Sequence, residues 1–336
     1  MTDQTIPSVV DLAEQFRKAL AARDNKALTQ IINAYGDIYS RLQDKINLLT
    51  LQMANMETIT AASVRKLSSY KSLITEIEKE LTKFQGYAGT IMQQAASDAI
   101  KAGVTNARLL TLAGNPAVAA SFKNLNPKAV ENLISYFGEG SALMKRLDKL
   151  AGTNALNVAQ TIIDNVALGK NPKTIAGLIK NSLGGGLTDA LRMTRTVQIY
   201  SYREANRASY VANADIVKGW VWMSTLDDVC CMSCVVMHGT FHTNDEVMDD
   251  HYNGHCAMLP VTLGAENPLG SDTAGMDWFK SLDENKQREL MGDGKFEAYK
   301  ENKFELSQLS TQRQDEVYGT MRGVTSLKDL IGGIGE

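Results

Sequence analysis

Long apolar runs are missing from this 336-residue sequence. No stretch approaches the ~20 consecutive apolar residues that a membrane-spanning helix needs. The opening MTDQTIPSVVDLAEQF has no basic stretch followed by an apolar one, so neither membrane insertion nor secretion is expected, and the expected compartment is a cytoplasm. Internal repeats and low-complexity tracts are also absent. What remains, 44% hydrophobic and 22% charged residues, suits one large or two ordinary soluble domains with a real core.

Lys and Arg are absent from residues 219–279, which carry nine acidic residues, whereas residues 1–218 carry 26 basic and 18 acidic residues. Residues 280–336 carry nine and eleven. A nucleic-acid-reading module is normally the basic part of its protein, so the middle segment is a poor candidate for that contact. The first 218 residues, net +8, suit a phosphate backbone or an acidic protein surface.

Cysteine and histidine are scarce, four of each, and all eight fall between 230 and 256: Cys230, Cys231, Cys234, Cys256, His238, His242, His251 and His255. Disulfides do not persist in a reducing compartment, so this density reads as a metal site. Zn2+ takes four tetrahedral ligands from thiolates and imidazoles, and Cys-x-x-Cys places two of them on one tight turn. Cys231-Met232-Ser233-Cys234 has that spacing, and the segment 251–256 offers the second pair. The expected ligands are Cys231, Cys234, His251 and Cys256, with His255 as the substitute. Cys230, His238 and His242 are expected to be bystanders, and four protein ligands leave no open position for chemistry. The competing reading makes Cys230 and Cys231 small buried hydrophobes and the histidines ordinary loop residues.

From Leu28 apolar residues step by four and three through Ile32, Tyr35, Tyr39, Leu42, Ile46, Leu49, Met53 and Met56, pass Thr60 and Ser63, and resume from Leu67 through Tyr70, Ile74, Ile77, Leu81 and Phe84. Such a repeat is a coiled-coil or hairpin seam. A single helix of that length measures about 85 Å; a fold-back near Thr60 is the alternative, as is a bundle face rather than a projecting arm. Gly86 is expected to end the seam. Shorter helices should follow, separated by Gly114-Asn115-Pro116, Asn126-Pro127, Gly138 to Gly140 and Asn171-Pro172. Gly184-Gly185-Gly186 is the expected boundary, with one more helix over 187–213. GWVWMSTLDDV from Gly219 and LPVTLG from Leu259 read as strands, Pro260 suiting an edge, and MDWFKSL and DENKQRELMG as helices. The expected fold is therefore α+β: a mostly α-helical N-terminal part with long coiled-coil-like helices, then a small zinc-stapled α+β C-terminal module. The expected divisions are a helical arm or bundle over 1–183, the module over 187–310 and a C-terminal tail over 311–336.

The pattern W-x-W-x-x-x-x-D-x-x-x-C-x-x-C, written by Trp220, Trp222, Asp227, Cys231 and Cys234 and followed by Gly239, resembles the phage Mu F-like head-morphogenesis family. His251 to Cys256 with Pro260 is similar to that family's His-Pro-x-Cys-Arg-Cys segment and proline-ended strand. RMTRTVQIYSYREANRASY and the stretch from Met276 to Leu309 resemble its Arg-Thr-Glu helix and its C-terminal helical segment. The likeness runs from about 158 to 309. Gly254 and His255 stand in place of Cys and Arg, Val229 in place of an Arg, and Val197 in place of the Glu of Arg-Thr-Glu. The resemblance implies a non-enzymatic, low-copy minor head protein inside the virion capsid. Its implied partners are the phage portal protein, and also the major capsid protein and packaged DNA through the basic helical part, with a homo-oligomer as a further expectation. Asp227 is expected to cap the turn carrying the Cys-x-x-Cys. The alternative is an HNH-like metal-dependent nuclease with His251 as general base, disfavoured by the missing second cysteine pair and by the lack of Lys or Arg around it. A zinc deaminase is set aside for the lack of His-x-Glu and because the Cys-x-x-Cys comes first, and a toxin-fused effector is disfavoured because no extra domain is left over beyond the helical part.

Overall fold

The computed structural model describes residues 7–128, 130, 142–316 and 319–332, so the expected break at Gly138 to Gly140 lies outside the described residues. The protein is α+β and mostly helical, as its patterning predicts. Helices α1 (Val9–Ala54), α2 (Ala61–Lys66), α3 (Ser68–Gly114), α4 (Ala142–Ala167) and α5 (Pro172–Ala212) come first. They are followed by β1 (Val217–Met223), α6 (Met232–Met237), β2 (Phe241–His242), β3 (Ala257–Thr262), α7 (Ala274–Ser281), α8 (Glu284–Met291) and α9 (Asp293–Lys300). The chain then forms β4 (Ser310–Asp315), β5 (Gly319–Val324) and α10 (Leu327–Gly332). Among the described residues no helix is long and apolar enough to cross a membrane.

Two compact units interleave in the sequence: one takes residues 23–95 and 135–197, the other 1–22, 96–134 and 198–336. The first unit's described residues are helical apart from the turns at 55–60, 67 and 168–171. Its core is the predicted seam with the register corrected by one residue at three positions: Ile31, fully buried, replaces Ile32, which is 46% exposed, Ile38 replaces Tyr39, and Leu73 replaces Ile74. Tyr35, Leu42, Ile46, Leu49 and Met53 continue it on α1, and Leu73, Ile77, Leu81 and Phe84 answer on α3. Tyr35 and Phe84 meet edge to face at 4.9 Å, and the Tyr35 hydroxyl donates to Leu183 O. The chain does fold back near Thr60, whose hydroxyl caps α2 by accepting from Ser63 N at 3.1 Å.

Glycine did not end helices where its propensity suggested. Gly86 lies inside α3 and Gly184 to Gly186 lie inside α5, so neither is a boundary. A mid-helix glycine costs only about 1 kcal/mol. Burial of Ala88 and Met92 beyond Gly86, and of Leu183 and Ala190 around the triplet, outweighs it.

The second unit holds an antiparallel sheet in the order β2-β1-β3, with Trp220 opposite His242 and Pro260. β3 is an edge strand, where Pro260 breaks no ladder. Alternation along β1 sends Trp220 and Trp222 into one cluster with Phe279, Phe296 and the cysteines, and Val221 and Met223 to the other face with Ala13 and Leu259. The residues expected to form a tail instead make the β4–β5 hairpin and α10. Leu309 and Leu330 are buried in the main cluster, and the Arg322 guanidinium grips both oxygens of Asp249 at 3.0 and 3.1 Å.

Candidate metal centre

β1 delivers the chain into a tight turn over 224–231. Asp227 caps it as expected: its Oδ1 accepts from Val229 N at 3.2 Å and its carbonyl from Cys230 N at 3.1 Å. Cys231 is then the N-cap of α6, its Sγ accepting from Cys234 N at 3.4 Å. The first turn of α6 thus sets both sulfurs on one side. After α6, Gly239 returns the chain to β1 through a 2.8 Å bond from its N to Trp222 O. Its positive φ of 97° suits glycine alone, and a Cβ there would lie 2.2 Å from Ser271 O.

The second arm of the site is the loop before β3. His251 Nε2 lies 3.3 Å from Cys231 Sγ and 3.2 Å from Cys234 Sγ, and Cys256 Sγ lies 3.5 Å from Cys234 Sγ. Donors of Cys231, Cys234 and His251 all lie within 4.8 Å of one another, and Cys234 belongs also to a second such group with Asp250 and Cys256. Tetrahedral coordination at zinc bond lengths separates two sulfurs by about 3.8 Å and a sulfur from a nitrogen by about 3.5 Å. Cys231, Cys234, His251 and Cys256 are therefore positioned to hold a metal ion. The tautomer agrees. His251 Nδ1 lies 2.8 Å from the carbonyl of Tyr252, which can only accept, so Nδ1 carries a proton and Nε2 is the nitrogen turned toward the sulfurs, free to ligate once its own proton is displaced.

The charges point the same way. The hydrogen bond from Cys234, aided by His251 and opposed by burial, lowers the Cys231 thiol. The Cys231 sulfur in turn raises His251 against burial. Hydrogen bonds with Cys231 and Cys256, with burial, raise Cys234. The cluster thus keeps one thiolate beside a cation and holds the remaining protons that a metal ion would displace.

Cys230, His238 and His242 belong to neither donor group. Burial pushes the Cys230 thiol up and the His238 imidazole down, and His238 Nδ1 lies 3.1 Å from Ser224 N. His242 stacks on Trp220 at 4.3 Å and pairs with Glu246 at 2.9 Å. His255 is in neither donor group. It lines a cavity with Arg17, Tyr202 and Asn206.

Sequence reasoning missed two supporting residues, Asp250 and Arg203. Both are buried and form an ion pair at 2.5 Å. Burial alone would raise the Asp250 carboxyl; the Arg203 and His251 charges and the hydrogen bonds outweigh it and hold the group below its ordinary range. Asp250 Oδ1 also accepts from His251 N at 2.8 Å. A Cβ on Gly254 would lie 2.1 Å from Asp250 Oδ2, which explains why glycine stands there. Arg203, 47 positions from Asp250, is one of several arginines on α5, and nothing in its spacing singled it out. Comparison with protein-family models, curated proteins and solved structures finds no match to this chain.

Proposed function

We propose that the cluster holds a structural zinc ion and that the chain is a phage minor head protein, associated with the portal on the inside of the capsid. The zinc part rests on the donor set. Three thiols and an Nε2-directed imidazole lie near tetrahedral spacing, a combination that favours zinc over oxygen-seeking cations. When bound, the ion supplies cross-linking between the α6 turn and the 250–256 loop, not catalysis. The four donors fill its coordination, Asp227 holds the turn, and Tyr252 O fixes the histidine ring. The nuclease reading loses support because both nitrogens of His251 are engaged, one toward the sulfurs and one toward Tyr252.

The head-protein part rests on the ordered run of Trp220, Trp222, Asp227, Cys231, Cys234, Gly239, His251, Cys256 and Pro260 that resembles the Mu F-like family. In this reading residues 1–218, net +8, face packaged DNA or an acidic portal surface, and the acidic module does not touch nucleic acid. The deciding experiment is quantitative mass spectrometry of purified virions with the portal protein as internal standard. A fixed low ratio to portal is the expected result; absence from virions would refute a head role. Metal analysis of the purified chain tests the zinc separately, with one zinc per chain expected.

A further inference from the structure

We infer that Arg203 is the positioning residue of the metal centre: from helix α5, one guanidinium fixes both ends of the loop that supplies the second ligand pair. The inference rests on the zinc reading above. Arg203 Nε and Nη2 donate to the Cys256 carbonyl at 3.0 and 2.7 Å, and Nη2 donates also to the Gly254 carbonyl at 3.1 Å and to Asp250 Oδ2 at 2.5 Å. Asp250 passes the constraint on, because its other oxygen accepts from the backbone N of His251 at 2.8 Å. One buried side chain thereby sets the carbonyl of one ligand and, through one carboxylate, the amide of another.

The geometry calls for arginine in particular. The planar fork meets the Cys256 carbonyl with Nε and Nη2 together while Nη2 also reaches the carboxylate and the Gly254 carbonyl; a lysine ammonium has no such pair of rigidly spaced nitrogens. Gly254 completes the arrangement, since its missing Cβ leaves the space into which the Asp250 carboxylate packs. Partners that orient metal ligands typically change affinity 10–100-fold when removed. A merely structural Arg203 would lower stability and leave the affinity of a correctly folded site alone.

The test is zinc competition against a chromogenic chelator on the full chain, together with thermal melting, for the unaltered protein, Arg203→Lys, Asp250→Asn and Tyr210→Phe. The last is the control: it removes a buried hydroxyl that donates to Met258 O at 3.2 Å, outside the ligand loop. The expected result is one zinc per chain at saturation in Arg203→Lys with affinity reduced ~10–100-fold, a similar loss in Asp250→Asn, and less than about a twofold change in Tyr210→Phe despite a lower melting temperature. Arg203→Lys binding within about twofold of the unaltered chain overturns the positioning role while leaving the zinc site standing. If Arg203→Lys does not fold, Asp250→Asn decides by the same threshold. No zinc uptake by the unaltered chain overturns the zinc reading, and the positioning role with it.

Discussion

The helical unit and the sheet-bearing unit distribute their stabilising contacts differently. In the helical unit the core is a long row of similar layers, Ile31 to Met53 on α1 and Leu73 to Phe84 on α3, each contributing a comparable burial. In the other, Trp220, Trp222, Phe279 and Phe296 build a substantial apolar cluster, yet the turn at 224–231 and the loop at 250–256 bring their donor atoms together. A row of layers degrades gradually when one is removed. A junction of four donors fails at once.

The largest effect that separates the two units should come from Cys234→Ser, because Cys234 is shared by both donor groups. It should abolish zinc uptake and forfeit most of the ~10 kcal/mol that a structural zinc can supply. Hydrogen exchange should then show amides of 224–262 losing protection while those of 31–53 and 73–92 keep it; equal protection throughout would contradict a metal-held junction. Next, Leu42→Ala in the seam should cost about 2–5 kcal/mol by urea unfolding and leave zinc affinity unchanged.

A pH series sharpens the contrast. In the metal-free chain His251 is raised, so its contribution to stability is complete below the ordinary imidazole range and is lost as pH rises through its folded value, about 10. The loaded site runs the other way, since zinc requires deprotonated thiols and imidazole and binds more tightly as pH rises. Melting curves from pH 6 to 10 with and without chelator should therefore diverge with increasing pH, and parallel curves would count against the site. The smallest effect should come from His255→Ala: zinc affinity should change by less than about twofold, because His255 belongs to neither donor group.

The parts of this molecule legible in sequence are those written by repetition or by rarity. The seam showed because a heptad recurs many times, although two adjacent isoleucines, Ile31 and Ile32, left its starting register ambiguous. The four candidate donors showed because all cysteines and histidines crowd into one window. The β4–β5 hairpin did not, since Ser310 to Asp315 carry no apolar alternation and are ordered by pairing with β5. The glycines of α5 misled because tertiary burial overrode local propensity. Arg203 and Asp250 stayed hidden because their relation exists only once α5 and the loop have met.

Asp249 carries a consequence for the timing of folding. Its side chain is held by Gln312 at 2.6 Å and by Arg322 from β5, and its carbonyl accepts from Arg322 N at 2.5 Å. A nascent chain completed only through Cys256 already contains all four donors, but the residue adjoining Asp250 still lacks the strand that pins it. The unit that holds these residues also draws on residues 1–22 and on β4 and β5, whereas the helical unit is built from residues 23–95 and 135–197. Synthesis from the N-terminus therefore lets the helical unit mature while the ribosome is still at work. Any metal capture should then wait for synthesis of β5, and a product truncated before it should carry a finished bundle and an unlocked clasp.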